Sequence, residues 1–284
     1  MRVITRKKGN KSYYYLQHSF RENGEVITRE LYLGQKIPKN IEHIKKNLIK
    51  EMNIHLYKKL ETIRNHFQEE WKTLPASAKE HELKEIAIAF TYNTNAIEGS
   101  TITLEETRSI IKDKIAPHKP LRDIKETENH YHVFLQMLEN KEKASNTLLL
   151  RWHKEIFSST KPDIAGKFRN YLVSVGGYLA PDWQDVRNLM DDLIKFINRE
   201  KINPAELAGR AHYIFETIHP FGDGNGRIGR LLMNYILWHA GYPMLIIEYH
   251  KRTSYYKAFH RGEEGFLRYF LRRYLAVHKR RIFS

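Results

Sequence analysis

The segment His219–Ala240 constrains the fold more than any other part of this 284-residue chain. Its second half contains the run LLMNYILW, which is apolar on nearly every side, so a helix formed there has to lie inside the molecule. Three glycines alternate with polar residues just before this run, and Gly241 and Pro243 follow it. The segment therefore predicts a glycine-rich loop that leads into a buried central helix from about Gly226 to Ala240.

Most of the remaining chain is also predicted to be helical. Thr103 to Glu106 has the pattern of a capping box, which marks the start of one helix. The other predicted helices cover about 40–71, 84–98, 123–139, 146–157, 185–198, 204–218, 253–261 and 264–280. One extended segment at 170–181, with Gly176-Gly177 as its turn, interrupts them and predicts a small hairpin flap.

The N-terminal part has a different pattern. Residues 12–33 are rich in tyrosine and alternate around Asn23-Gly24, which predicts a β-hairpin with a two-residue turn. We therefore expect a mainly α protein, a helical bundle with a small flap, that is preceded by a hairpin and a basic helix. Its expected parts are the N-terminal hairpin over 1–36, a basic helical connector over 37–80 and the main helical domain over 81–284.

Composition excludes several classes of protein. The chain has no cysteine, which rules out disulfides, Zn–Cys sites, Fe–S clusters and a thiol nucleophile. No apolar run approaches the length of a membrane span, and the basic N-terminus lacks the apolar region of a signal peptide. We expect a cytoplasmic protein without a membrane segment. The net charge of +15 fits either a lysine-rich solvated surface or binding to nucleic acid.

The loop before the central helix carries the residue types of a phosphate site. Backbone amides at its glycines and at the helix N-terminus attract anions. Arg227 and Arg230 lie three residues apart on one helix face, where each opposes the helix dipole unless an anion binds. Asp223 is the single acid of the loop and suits Mg²⁺, while His219 can accept a proton near neutral pH. From spacing alone, an ordinary turn with a structural histidine remains the alternative.

The sequence HPFGDGNGRIGR resembles the signature of the Fic family, His-x-Phe-x-Asp/Glu-Gly-Asn-Gly-Arg-x-x-Arg, at every defining position. The segments AHYIFETIHPF, RLLMNYILWHAGYPMLII and GKFRNYLVSVGGYLAP resemble the family's flanking helices and flap, so the likeness covers about 84–274. Fic proteins are helical and mostly transfer AMP from ATP to a protein hydroxyl. The resemblance thus implies a Fic domain over 81–284 and a nucleotidyltransferase that uses ATP as co-substrate.

The resemblance also implies a role for each residue of the loop. His219 would be the general base, and Asp223 would hold Mg²⁺ or Mn²⁺. The residues that would hold the phosphates of ATP are Gly224, Asn225, Gly226, Arg227 and Arg230. For the adenine pocket the resemblance suggests Tyr255 and Tyr256; Glu263 departs from the asparagine of several relatives, so an unusual nucleotide stays open.

A second motif, Thr94 to Gly99, concerns regulation. Glu98 is predicted in the last turn of a helix, where a carboxylate opposes the dipole and often has an external partner, although a plain surface glutamate fits the local pattern too. The motif resembles the inhibitory motif of Fic proteins whose inhibitory helix, here about 84–98, precedes the core. Glu98 would then pair with Arg230 and keep the γ-phosphate from docking.

The resemblance leaves the partners and the direction of the reaction open. The flap at about 170–181 would offer a strand edge to a target protein. In related proteins the same glutamate can assist the removal of AMP, so a deAMPylase or another phosphate transfer is an alternative. A nucleic-acid-binding regulator that acts through its basic N-terminal region is a second alternative, and a homodimer is also left open.

Overall fold

A computed structural model describes residues 1–22 and 25–283, with side chains at all of these positions except 20–22, 25–26, 46 and 49–53. The chain divides into two compact units, 1–59 and 60–284, and the boundary falls within a long helix, α1 (Ile41–Thr73). The separation of the chain into three parts at 36 and 80 stays a prediction.

The first unit contains a three-stranded antiparallel sheet. Its strands are β1 (Arg2–Lys8), β2 (Lys11–Glu22) and β3 (Glu25–Gly34), in the order β1-β2-β3. The predicted hairpin is present as β2–β3, but the sequence prediction missed β1 because its four basic residues hid the alternation of RVITRKK. Asn23 and Gly24 lie outside the described residues. Basic side chains of β1 are exposed, and the nucleic-acid alternative stays a prediction.

The second unit is helical apart from one small hairpin. Its remaining elements are α2 (Ala76–Ile97), α3 (Leu104–Arg108), a π-helical turn (Ser109–Asp113), α4 (Leu121–Glu139), α5 (Asn146–Phe157), β4 (Ser174–Val175), β5 (Tyr178–Leu179), α6 (Val186–Arg199), α7 (Pro204–Ile218), α8 (Asn225–His239), a 3₁₀ turn (Tyr249–Lys251), α9 (Arg252–Phe259), α10 (Gly262–Val277) and α11 (Arg280–Phe283). These bounds confirm the predicted helical bundle, and most helix ends differ by a few residues from the predicted ones. The exception is α2, which begins at Ala76 and not at about 84, because its polar first two turns lack the apolar periodicity that marks the rest.

Helix α8 lies at the centre of this unit. Every residue from Asn225 to Leu237 is buried, and the helix contacts α2, α4, α5 and α7. Leu231, Leu232 and Met233 are fully buried, and burial of each such side chain contributes about 1.5–3 kcal/mol. The apolar run thus forms the buried central helix that its sequence predicts, and it fixes where the loop before it must lie.

The turn between α7 and α8 is shaped by two left-handed residues. Helix α7 starts with Pro204 at its first turn, where Asn203 Oδ1 accepts a hydrogen bond from the Ala205 amide at 2.9 Å. The helix ends at Ile218 and is followed by His219, whose φ of +51° is uncommon for a residue with a side chain. Helix α8 begins after Gly224, at φ +79°. The chain therefore reverses within the six residues 219–224 and returns into the core.

The flap is shorter than the extended pattern suggested. Strands β4 and β5 have two residues each, with Ser174 opposite Leu179 and Val175 opposite Tyr178. Gly176 and Gly177 turn the chain with positive φ angles of 54° and 85°. Of the predicted extended residues 170–175, only the last two form a strand, so most of this segment is irregular. No helix in the described part of the chain is both long and apolar enough to cross a membrane.

Candidate active site

The loop from His219 to Arg230 is held in shape by Asn225. Its side chain accepts a hydrogen bond from the Phe221 amide at 2.8 Å and donates one to the Phe221 carbonyl at 2.9 Å. Phe221 is fully buried and anchors the loop in the core. In this structure the side chain of Asn225 therefore braces the loop, and its predicted contact with a phosphate stays a prediction.

A buried histidine of α5, His153, also holds this loop in place. The ring of His153 stacks on Phe221 at 3.9 Å, and its Nδ1 accepts from the Gly166 amide at 2.9 Å. Its Nε2 is then the protonated nitrogen and donates to the Asp223 carbonyl at 3.0 Å. Burial lowers the pKa of His153 from 6.5 to about 4, so the ring is neutral near pH 7 and both hydrogen bonds persist.

His219 stands at the entrance of the loop in a protonation state that suits a base. Its Nδ1 lies 3.4 Å from the Glu216 carbonyl, which favours the tautomer with the proton on Nδ1. Nε2 is then left to accept a proton. Burial lowers the pKa of His219 below its ordinary value of 6.5, so the imidazole is neutral at pH 7.

A small cavity of about 150 Å³ lies beside the loop, between α2, α4 and the start of α8. Asp223 borders it, with Oδ1 accepting from the Gly224 amide at 2.6 Å and Oδ2 lying 2.6 Å from Lys161 Nζ. Burial alone would raise the pKa of Asp223, but Lys161 and Arg227 outweigh it and lower the pKa. The carboxylate is ionised at neutral pH.

Arg227 is buried on the other side of this cavity. It bonds to Glu126 of α4, lies 3.8 Å from Asp223 Oδ2 and stacks over the ring of Phe157 at 4.3 Å. Lys161 Nζ also contacts Glu126, at 3.0 Å. Burial would raise the pKa of Glu126, yet these two cations lower it, so two carboxylates and two cations alternate around the cavity.

The guanidinium of Arg230 is 2% exposed and is held by α2. Its Nε donates to Thr94 Oγ1 at 2.7 Å, and Nη2 donates to Glu98 Oε1 at 2.6 Å and to the Thr94 carbonyl at 3.2 Å. Thr94 and Glu98, which both belong to the Thr94–Gly99 motif, thus bind the same arginine. Burial disfavours the charge of Arg230, but Glu98 outweighs this effect and raises its pKa.

A second carboxyl group near Arg230, that of Glu216, is mostly neutral. Glu216 lies on α7, and its Oε1 is buried with no hydrogen-bond partner among the described residues. Burial raises the pKa of Glu216 to about 8, so the group is mostly protonated at pH 7. Of the two carboxyl groups, Glu98 and Glu216, only Glu98 makes a direct contact with Arg230 among the described residues.

The glycines of the loop are required by close neighbours. A Cβ at Gly226 would lie 2.1 Å from Glu98 Oε1, and a Cβ at Gly224 would lie 2.4 Å from the ring of Phe157. Both distances are too short for any side chain. Glu98 and Phe157 can therefore pack this close to the loop only because positions 226 and 224 are glycine.

The residues suggested for the adenine pocket have different environments. Tyr255 is buried, and its hydroxyl lies 2.8 Å from His212 Nε2 and 3.4 Å from Arg230 Nη1. Tyr256 is exposed and donates to the Ile97 carbonyl at 3.2 Å. Glu263 is paired with Arg210 at 2.5 Å. A nucleotide-binding role for the two tyrosines stays a prediction.

Arg169 connects the flap to the loop, which the sequence did not indicate. It is buried and donates to the His219 carbonyl at 2.9 Å, to the Tyr171 carbonyl at 2.8 Å and to the Pro181 carbonyl at 2.6 Å. Tyr171 and Pro181 lie at the two ends of the flap. One guanidinium thereby fixes the base of the flap relative to the residue that is predicted to accept the proton.

The site suits a divalent ion that arrives with phosphates. The described residues contain no group of three or more acidic, histidine or cysteine side chains that could hold a metal. Asp223 has a hard carboxylate oxygen at the cavity, and its side chain is 47% exposed. Mg²⁺ commonly takes one or two carboxylates and completes its shell with phosphate oxygens and water. Asp223 is the residue that would hold it.

Four residues that shape this site were missed at the level of sequence: Glu126, His153, Lys161 and Arg169. Only one signal pointed to any of them, namely a polar residue on the apolar face of a predicted helix. Glu126 lies beside buried Thr127 and one turn before buried His130, and His153 lies among Leu149, Trp152 and Ile156. Lys161 and Arg169 lie in irregular segments, where no periodicity marks them.

The chain is similar to several curated proteins that are named protein adenylyltransferase Fic. A protein adenylyltransferase Fic of Nematostella vectensis is 34% identical over 198 residues, which are 67% of this chain and 46% of that protein. One of Culex quinquefasciatus is 30% identical over 279 residues, which are 91% of this chain and 54% of that protein. The chain therefore spans about half the length of the curated relatives it matches.

The fold agrees with these sequence similarities. The solved structure of Fic-1 from C. elegans superimposes with a TM-score of 0.69 at 28% identity, and the match covers 86% of this chain and 77% of that chain. Residues 143–237 match the model of the Fic/DOC family, a range that includes α5, the flap, α7 and nearly all of α8. The chain belongs to the Fic/DOC family, as the sequence of the loop from His219 to Arg230, the helical fold and the similar proteins all indicate.

Proposed function

We propose that the protein is an autoinhibited, Mg²⁺-dependent protein adenylyltransferase. The observation that carries this proposal is the arrangement around Arg230. The loop presents a neutral His219 and an ionised Asp223, while Glu98 occupies the guanidinium of Arg230 at 2.6 Å. The names of the matched relatives support the activity.

The proposed reaction transfers AMP from ATP to a hydroxyl of a target or of the protein itself. The hydroxyl oxygen attacks the α-phosphorus, the bond to the bridging oxygen breaks, and pyrophosphate leaves. Nε2 of His219 accepts the hydroxyl proton, which requires the neutral imidazole that burial and the Nδ1 contact favour. Afterwards the proton passes to solvent.

Phosphate charge would be balanced by the first turn of α8. The amides of Gly224, Asn225 and Gly226 begin this helix, and its dipole favours an anion. Arg227 borders the cavity, and its Nε is buried without a hydrogen-bond partner among the described residues. Bound Mg²⁺, held by Asp223, would neutralise charge on the phosphates.

The inhibition follows from a shared partner. Arg230 is almost fully buried, and its Nη2 is already bonded to Glu98 and Thr94. A γ-phosphate that needs this guanidinium has to displace the carboxylate of Glu98. Because the Glu98 side chain is 27% exposed, it can leave toward solvent, whereas Arg230 cannot. Removing Glu98 should therefore release the site without altering its other groups.

The test compares four purified proteins with labelled ATP and Mg²⁺: wild type, Glu98→Ala, Glu98→Ala with His219→Ala, and the control Glu82→Ala. Glu82 is exposed on the same helix, so its removal matches the change in charge. We expect label transfer to rise about tenfold or more in Glu98→Ala, which corresponds to about 1.4 kcal/mol. The double variant should show none, and the control should match wild type.

The mass of the product decides the direction of the reaction. A gain of one AMP on the protein or its target supports adenylyl transfer, whereas a loss of AMP from a modified target supports the reverse reaction. If folded Glu98→Ala and wild type transfer label equally, the inhibitory role of Glu98 is wrong. If label transfer survives His219→Ala, the assignment of the base is wrong.

A further inference from the structure

The predicted metal ligand already has a cation beside it. Lys161 Nζ lies 2.6 Å from Asp223 Oδ2 and 3.0 Å from Glu126 Oε1. An ammonium at this distance makes a direct ion pair with each carboxylate. The oxygen of Asp223 that faces Lys161 is thus engaged before any metal or nucleotide arrives.

The position of Lys161 is set by the turn that follows α5. Its amide donates to the Phe157 carbonyl at 2.7 Å, and its carbonyl accepts from the Ala165 amide at 3.0 Å. Its Nζ lies 4.8 Å from the centre of the Phe157 ring. The preceding residue, Thr160, donates to the same carboxylate oxygen of Glu126 at 2.9 Å. The side chain is 19% exposed, so backbone and ring hold the ammonium in the cavity wall.

The charges of Asp223 and its nearest charged neighbours balance without a metal. The cavity is also bordered by three other charged residues, Glu98, Arg122 and Asp123. Asp223 and Glu126 supply two negative charges, and Lys161 and Arg227 supply two positive charges within 4 Å of them. A divalent cation that enters this set alone would meet two cations at short range. Phosphates that enter with the metal bring the compensating negative charge and offer Lys161 new acceptors.

We propose that Lys161 is an exchangeable counter-cation that occupies the metal's side of Asp223 until a nucleotide arrives. It weakens the binding of a divalent ion to the nucleotide-free protein, and it turns from Asp223 to a phosphate oxygen when metal and nucleotide enter together. This inference rests on the proposed function for the nucleotide, but it concerns metal binding rather than transfer.

The test measures Mn²⁺ binding to the nucleotide-free full chain by electron paramagnetic resonance of the free ion. Lys161→Met removes the ammonium and keeps most of the apolar side chain. Lys161→Arg keeps the charge. Lys167→Met is the matched control, since Lys167 is exposed on the same segment and, among the described residues, its Nζ donates to the Asp163 carbonyl at 3.4 Å.

We expect Lys161→Met to bind Mn²⁺ about tenfold tighter than wild type, a factor that corresponds to about 1.4 kcal/mol. Lys161→Arg and Lys167→Met should bind like wild type. Thermal unfolding gives a second readout: Mg²⁺ should raise the midpoint of Lys161→Met more than that of wild type. If Lys161→Met does not fold, Lys161→Gln replaces it with the same expectation.

Equal Mn²⁺ affinity of wild type and a folded Lys161 variant would overturn the inference, and so would the absence of Mn²⁺ binding from both. Label transfer measured in parallel separates this failure from that of the proposed function. Transfer by wild type with unchanged Mn²⁺ affinity in the variant refutes only the role of Lys161. Tighter Mn²⁺ binding without any transfer supports the exchange of cations and refutes the adenylyltransferase.

Discussion

Replacing Glu126 with alanine should destabilise the second unit strongly, because Glu126 is the shared partner of two cations. It is 5% exposed and bonds to Arg227, Lys161 and Thr160. Arg227 is 5% exposed, and its other carboxylate contact among the described residues is the Asp223 oxygen 3.8 Å away. Breaking a buried ion pair by removing one partner costs about 3–5 kcal/mol.

The free energy of unfolding is measured with urea, and the midpoint of thermal unfolding gives a second value. For a unit of this size about 3–5 kcal/mol corresponds to a shift of about 10 °C. Glu142→Ala is the control, because Glu142 pairs with Arg151 at a similar distance, 3.0 Å, but on the surface. Both side chains of this pair are exposed to solvent, which screens their attraction, so the control should change stability little.

Glu126→Gln separates charge from hydrogen bonding. It keeps an acceptor for Thr160 and Arg227 and should lose less stability than Glu126→Ala. If Glu126→Ala unfolds at the same urea concentration as Glu142→Ala, then Arg227 does not depend on Glu126, and the argument from its buried charge is wrong.

Two further predictions concern the same loop. Gly226→Ala places a Cβ 2.1 Å from Glu98 Oε1. The substitution should lower the free energy of unfolding by about 1–3 kcal/mol in wild type, and by clearly less when Glu98→Ala is also present. A double-mutant cycle with urea unfolding measures this difference, and additive effects would refute the steric explanation. His153 has a pKa of about 4 in the folded protein and 6.5 ordinarily, so the unfolded chain binds more protons between these values, and stability should fall by about 3 kcal/mol as the pH drops through this window. In His153→Gln the difference between urea unfolding at pH 7 and at pH 4.5 should be smaller; an unchanged difference would show that other groups cause the loss.

The elements around the loop could be predicted because local physics determines them. Helix α7 starts at Pro204 behind an asparagine cap and ends before His219, and α8 contains a run that is apolar on nearly every side. Such signals lie within a few neighbouring residues, so a single sequence contains them. The pair of Glu98 and Arg230 was also expected, but only through the family resemblance and the unfavourable position of each charge on its own helix.

The pairs that complete the site could not be predicted in this way. Glu126 and Arg227 are 101 residues apart, and Arg169 and His219 are 50 apart. Such contacts depend on how α4, α5 and α8 pack, which no periodicity within one helix encodes. Strand β1 was missed for a different reason, because its basic residues hid a weak alternation that pairing with β2 stabilises.

The bonds of Arg169 have a consequence for how the protein can diversify. The guanidinium is rigid and planar. Its size therefore sets the distances between the two ends of the flap, Tyr171 and Pro181, and the carbonyl of His219. The residues between those two ends do not enter that span. If the flap selects the target, substitutions at 172–180 can change which proteins are recognised while the base keeps its position. Recognition of the target and the chemical step would then depend on different residues, which could evolve at different rates. The side chain of Arg169 would connect the two sets.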